Sequence, residues 1–343
     1  MKSLTITRPD DWHTHVRNGA ILKTVLPHTA RQFARAIIMP NLKPPVTTVA
    51  QALAYREEIL QAVPAGSHFT PLMTLYLTGS TTAAEIKKAA ESDHVHAFKL
   101  YPAGATTNSD SGVADIKAIY PLLAALEKHD IPLLIHGEVT DEYCDIFDRE
   151  RVFVDTSLTD IVDYFPGLRI VVEHVTTTEA VQFVQVTGGN IAATITPQHL
   201  LFNRNIILAG GIRPHYYCLP IIKREHHRLA LVAAATSGNP KFFLGTDSAP
   251  HLTSLKETGC GCAGCYSAHA ALELYAEVFE RAGSLDKLEG FASFYGADFY
   301  RLPRNSGTVT LEKISWTVPA VYGEDNLFIT PLKANEELSW KMQ

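Results

Sequence analysis

Of the 343 residues, 46% are hydrophobic and 19% are charged. That is a globular composition with material for a large core, and the length allows two domains or a single α/β barrel. The formal net charge of −6 offers no basic footprint for nucleic acid, and five cysteines, an odd count, argue against a disulfide framework. With no run of 18 apolar residues and no apolar stretch behind the N-terminus, neither a membrane span nor a secretory leader is expected, so a cytoplasmic enzyme is.

Short apolar runs alternate with helical patterning along the chain. The first strand is expected over 10–16 and the second over 35–41, followed by a helix over 48–63. A third strand at 69–77 precedes a helix at 83–91, and a fourth at 95–101 precedes a helix at 113–129. Strands at 131–136 and 169–174 follow, then a helix at 179–186, a strand at 191–196 and a helix at 221–237. The eighth strand, 242–247, is followed by a helix at 269–281. The strand runs are apolar without clean alternation, as strands buried on both faces are. Eight strand–helix units predict a (β/α)8 TIM barrel within one domain over 1–343. A doubly wound sheet is the rival, but no glycine-rich phosphate loop follows an early strand. Residues 307–343 mix β-branched runs with Pro319, Gly323 and Pro331, and read as irregular structure packed on the barrel exterior.

Chemistry-bearing residues collect at the ends of these runs. His13 and His15 sit at i and i+2 on the first strand, so their side chains share a face and can grip one ion. Lys99 lies near the end of the fourth strand, His136 ends the fifth, His174 the sixth and Asp247 the eighth. In a barrel these ends converge on one mouth, where four histidines and a carboxylate form a nitrogen and oxygen site suited to zinc or a similar divalent ion. Taken singly, each histidine could be a core or loop residue, Asp247 a turn residue and Lys99 a snorkelling surface group. Lys99 stands between Phe98 and Leu100, where desolvation favours the neutral amine, a nucleophile able to add carbon dioxide as a carbamate. Arg17 supplies a planar fork for a carboxylate or, alternatively, a surface ion pair.

Together these residues resemble the amidohydrolase superfamily and, within it, the dihydroorotase family. The resemblance rests on Asp11-Trp12-His13-Thr14-His15-Val16-Arg17 and on Gly245-Thr246-Asp247-Ser248-Ala249-Pro250-His251 with Lys256 five residues on. It extends through Met39-Pro40-Asn41, Lys99-Leu100-Tyr101-Pro102, His136-Gly137-Glu138, 195–199, 211–214 and 260–265. Thr14 is a small departure, since an apolar residue is commoner between the two histidines. About ten residues precede the histidine pair, which fits the short bacterial and fungal type without an N-terminal β-sandwich, usually a homodimer.

The resemblance implies that His13, His15 and Asp247 hold one zinc, that His136 and His174 hold another, and that Lys99, as N6-carboxylysine, bridges them. It implies reversible opening of L-dihydroorotate to N-carbamoyl-L-aspartate in pyrimidine biosynthesis. A zinc-bridging hydroxide would attack and Asp247 would act as general acid and base. Arg17, Asn41 and His251 would bind the substrate carboxylate, backbone groups near Leu219 and Ala263 the ring edge, and Thr106 and Thr107 would form a lid. Another cyclic amidohydrolase, such as a hydantoinase, is the near alternative. A different class is suggested by Cys260, Cys262 and Cys265, whose C-x-C-x-x-C spacing resembles part of an iron–sulfur ligand set, although no fourth cysteine is close in sequence.

Overall fold

The structure, a computed structural model, describes residues 2–343. A first strand, β1 (Ser3–Thr7), lies outside the barrel. The barrel strands follow as β2 (Asp10–Thr14), β3 (Arg35–Ile38), β4 (Thr70–Leu77), β5 (Val95–Leu100), β6 (Leu133–His136), β7 (Ile170–Glu173), β8 (Ile191–Ile195) and β9 (Phe242–Leu244). All eight pair in parallel in chain order. Thr14 also pairs in parallel with Ser248, and the Asp247 amide donates to the His13 carbonyl at 2.9 Å, joining the first strand to the last. This is the expected (β/α)8 barrel, and each expected strand overlaps an observed one.

Side-chain parity builds the interior. Trp12, Ile37, Leu72, Ala97, Leu134, Val171, Ala192 and Phe243, one from each barrel strand, pack into a single buried cluster. Their strand neighbours Ile38, Phe98, Leu133, Ile135, Val172, Ala193 and Leu244 belong to the separate cluster that packs against the helices. Two residues further along a strand returns to the same face. Lys99 after Ala97, His136 after Leu134, Glu173 after Val171 and Thr194 after Ala192 therefore stand in the next inward layer. A register shift between Asp11 and Thr14 re-aims the end of β2. Gly245, next after Phe243, fills a crowded place: a Cβ there would meet the Thr194 Cβ at 2.7 Å and the His13 Cβ at 3.1 Å.

The helices agree less fully. Val49–Ala62, Ala83–Ala90, Glu225–Ala235 and Ala271–Arg281 lie inside the expected spans and Thr178–Val186 begins one residue before its own, the first being opened by a capping box between Thr48 and Gln51. Over 113–129 the regular helix is confined to Tyr120–Lys128, because Val113 bridges to Pro102 instead. Two longer helical segments were not expected, Gly19–Gln32, which carries Pro27 inside it, and 149–164, which passes through a π-turn at Val154–Leu158, nor were the short helices Pro197–Leu201, Asn205–Leu208, Thr253–Lys256 and Tyr295–Phe299. The tail is a correction too. Residues 307–343 are more regular than expected, with β10 (Thr308–Glu312) pairing antiparallel with β1, and β11 (Trp316–Thr317), β12 (Glu337–Leu338) and β13 (Lys341–Met342) forming further short ladders. Among the described residues, no helix is long and apolar enough to cross a membrane.

Candidate metal centre and substrate cleft

His13 and His15 turn their Nε2 atoms toward one point, 3.4 Å apart. Asp247 Oδ1 lies 3.2 Å from His13 Nε2 and 3.1 Å from His15 Nε2. The opposite ring nitrogens are held from behind: His13 Nδ1 lies 3.0 Å from Glu173 Oε1, and His15 Nδ1 2.9 Å from Asn41 Oδ1. Such outer partners fix the tautomer and aim of a ligating imidazole. Buried Asp11 supports the group, accepting from the His13 amide at 3.2 Å, the Thr246 amide at 2.9 Å and the Thr246 hydroxyl at 2.6 Å. Desolvation raises Asp11 to about 7 against these hydrogen bonds.

On the other side of His13, the His174 ring lies 5.0 Å away and the His136 ring lies 4.8 Å from His174. His136 Nε2 contacts Glu138 Oε2 at 2.7 Å. Lys99 is fully buried, donates to Glu173 Oε2 and stands 4.8 Å from the Tyr101 ring centre. It lies behind the cleft wall rather than on it.

The electrostatics follow from burial and crowding. Burial alone would raise the Asp247 carboxyl, yet the charge and hydrogen bonds of His13 and His15 hold it well below the usual carboxylate range. Burial and neighbouring His136 push His174 well below the ordinary imidazole value, and burial with Arg17 lowers His15 to about 4. Against burial, the carboxylates of Glu173 and Asp247 raise His13 to about 9. Burial lowers Lys99, with Glu173 opposing.

These residues suit a metal. The donor atoms of His13, His15 and Asp247 lie within 4.8 Å of one another, as do those of His13, Glu173 and His174, and all five residues are buried. His174 Nδ1 is buried without a hydrogen-bond partner, a costly arrangement that a cation relieves. Two nitrogens and an oxygen form a donor set for zinc or a similar ion. Among the described residues, the groups able to hold an ion contain no cysteine. Cys260 is exposed while Cys265 is buried, so the run does not gather its thiols for an iron–sulfur cluster.

A narrow cleft opens on the histidines, lined also by Arg17, Asn41, Thr106, Thr107, Leu219 and Ala263. Arg17 Nη2 lies 3.1 Å from His251 Nε2, Arg17 Nε donates to the Pro250 carbonyl at 3.1 Å, and Arg17 Nη1 lies 3.4 Å from His15 Nδ1. Burial and the Arg17 charge push His251 down to about 2, so the imidazole beside the guanidinium is neutral. His251 Nε2 also lies 3.0 Å from the Ala263 carbonyl, placing it behind the wall. The loop bearing Thr106 and Thr107 lies down on the cleft: Thr107 Oγ1 accepts from the Ala263 amide at 3.2 Å, and Asn41 Nδ2 donates to the Thr107 carbonyl at 3.2 Å. Every expected site residue thus gathers at one barrel mouth. Asn41 differs in emphasis, since its carbonyl oxygen is engaged by His15. A larger, more open groove between Leu200 and Ala282 contains none of these residues.

Glu173, Asp11 and Glu138 went unassigned in the sequence. Glu173 had a usable signal: it shares the inward parity of Val171 and stands directly before His174.

Comparison with known proteins agrees with this geometry. Residues 9–320 match the model of the amidohydrolase family. The chain is 64% identical over 342 residues to the dihydroorotase of Acaryochloris marina, covering 100% of this chain and 99% of that one. Among solved structures, the dihydroorotase of Campylobacter jejuni is 36% identical with a TM-score of 0.92, over 100% of this chain and 98% of that chain. The dihydroorotase of Saccharomyces cerevisiae, solved in complex with 5-fluoroorotic acid, is 34% identical with a TM-score of 0.92, over 100% and 99%. The chain belongs to the amidohydrolase family, on its dihydroorotase branch, and is a hydrolase acting on cyclic amides.

Proposed function

We propose that the chain interconverts L-dihydroorotate and N-carbamoyl-L-aspartate, opening the ring amide in one direction and closing it with release of water in the other. The observation that carries this reading is Arg17. Its guanidinium lines the cleft with a carbonyl and two imidazoles as neighbours, and among the described residues it has no carboxylate partner. A half-buried cation so placed is matched by an anionic substrate group, and the Arg17 fork suits a carboxylate. His251 and the amide of Asn41 stand beside it to complete that contact.

In this reading His13, His15 and Asp247 would hold one zinc and His136 and His174 a second, and Lys99, as its carbamate, would serve as a ligand to both. Such ions, when bound, would supply Lewis-acid polarisation of a carbonyl and a water acidified toward neutral pH. Asp247 is ionised in its setting, the form required to take a proton and later return it to the leaving ring nitrogen. Backbone groups of Leu219 and Ala263 orient the ring edge, and the Thr106–Thr107 loop excludes water when it lies down. The family resemblance further supports a cytoplasmic homodimer, which would elute at twice the 37.7 kDa of one chain.

The test is incubation of zinc-loaded protein with L-dihydroorotate, following ring opening by ultraviolet absorbance. Turnover is expected. Turnover of hydantoins without turnover of L-dihydroorotate would overturn the assignment.

A further inference from the structure

Lys256 stands five residues beyond His251 on the short helix Thr253–Lys256 and is 3% exposed. Among the described residues it has no carboxylate partner. Its Nζ donates to the carbonyls of Tyr217, Cys262 and Gly264, each at 2.8 Å. An ammonium has three protons, and all three are used. Three carbonyl oxygens converging on one point repel one another unless a cation sits among them, so the loops carrying them keep this shape because Lys256 is there.

Those loops build one wall of the cleft. Tyr217 leads into Leu219, and Cys262 and Gly264 flank Ala263. The Gly264 amide donates back to the Tyr217 carbonyl at 3.0 Å, closing the knot. Gly264 has φ +152°, and a Cβ there would meet the Ala249 carbonyl at 2.6 Å, so the backbone is pressed against the segment that follows Asp247. The central residue, Ala263, presents its amide to Thr107 Oγ1 and its carbonyl to His251. This also accounts for the Cys260–Cys265 run: its glycines let the chain wrap an internal cation, and its carbonyls, not its thiols, do the binding.

We propose that Lys256 is a positioning residue, an internal cation around which residues 217–219 and 262–264 fold to form the wall that receives the substrate ring and the Thr107 loop. This rests on the reading of the cleft given above.

The experiment compares the zinc-loaded full chain with Lys256→Ala. Metal content should match the parent and kcat should stay within about threefold, while KM for L-dihydroorotate and Kd for 5-fluoroorotate rise by about tenfold or more, the loss expected when a charged donor leaves buried carbonyls unpartnered. Propylammonium, the missing part of the side chain, should restore KM, whereas tetramethylammonium at the same ionic strength, which cannot donate, should not. Amide hydrogen exchange at 104–112 and 262–264 should quicken in the variant. That readout needs no turnover, so it tests Lys256 even if the parent fails to open L-dihydroorotate and the functional reading falls. An unchanged KM with unchanged exchange overturns the proposal, and so does loss of metal together with kcat. If Lys256→Ala does not fold, Lys256→Met, which keeps most of the side-chain length and removes the charge and donors, takes its place in the KM, Kd and exchange measurements. Failure of both to fold also overturns it, since Lys256 would then serve the fold as a whole.

Discussion

Arg17→Ala separates recognition of the substrate from the chemistry performed on it. Removing the guanidinium deletes a charge-assisted fork facing the cleft while leaving the mutual contacts of His13, His15 and Asp247 in place. Truncating one partner of a hydrogen-bonded charge pair costs about 2–5 kcal/mol. Arg17 is only half-buried, so the lower part of that range applies. At about 1.4 kcal/mol per factor of ten, kcat/KM for L-dihydroorotate should fall about 30- to 300-fold, mostly through KM. Arg17→Lys should fall less, because an ammonium keeps the charge but loses the fork. The decisive control is dihydrouracil, the same ring without the carboxylate. The parent should turn it over poorly, and Arg17→Ala should change that rate by no more than about threefold, because the missing interaction is not made there. Both rates are read by ultraviolet absorbance on protein of verified metal content. An equal loss on both rings would refute the reasoning, since it would mean that Arg17 acts by holding Pro250 and His251 in place.

Two further substitutions probe the layers behind the cleft. Lys99→Ala should abolish turnover and lower bound metal. In metal-free protein, where Lys99 is unmodified and donates to Glu173, the substitution also removes a cationic partner of that buried carboxylate, at a cost of about 3–5 kcal/mol read as a lower urea midpoint; near-normal turnover at full metal content would exclude a bridging role. Glu150, 1% exposed, accepts from the amides and hydroxyls of both Thr176 and Thr177, just after His174. Glu150→Ala leaves those donors unpartnered and should reduce unfolding free energy by about 2–5 kcal/mol, whereas an unchanged denaturation midpoint would show that water satisfies them.

The barrel was legible because strands buried on both faces read as apolar runs, and the candidate ligands because each stands at the end of such a run. Helix Gly19–Gln32 was hidden by Pro27, and 149–164 by a π-turn and by β-branched residues such as Val152, Val154 and Thr156. The tail strands were invisible locally: β10 is ordered by pairing with β1, some 300 residues earlier in the chain. The roles that escaped notice are likewise long-range. Glu173 takes its meaning from Lys99, 74 residues away, and from His13. Lys256 takes its meaning from three carbonyls whose convergence no spacing rule encodes.

Three residues of the cleft share a costly backbone conformation. Arg17, His174 and Asp247 have φ of 59°, 43° and 42°, in the left-handed region that L-residues other than glycine avoid at about 1–2 kcal/mol each. Each is pinned by a backbone hydrogen bond: the Arg17 carbonyl accepts from the Tyr55 hydroxyl at 2.5 Å, the His174 amide donates to Thr194 Oγ1 at 2.8 Å, and the Asp247 amide donates to the His13 carbonyl at 2.9 Å. Parity explains why the strain is placed there. Glu173 takes the inward position on β7, so His174 would face the helices if the strand ran on, and a left-handed turn at its end re-aims the side chain toward His13 and His136. Thr194→Val tests this. It keeps the shape of the side chain, removes the acceptor of the His174 amide, and should destabilise the protein by about 1–3 kcal/mol. If the hydrogen bond holds His174 in its turn, metal should dissociate faster from Thr194→Val than from the parent on challenge with a chelator. An equal rate of metal loss, with stability lowered as expected, would show that packing alone holds His174.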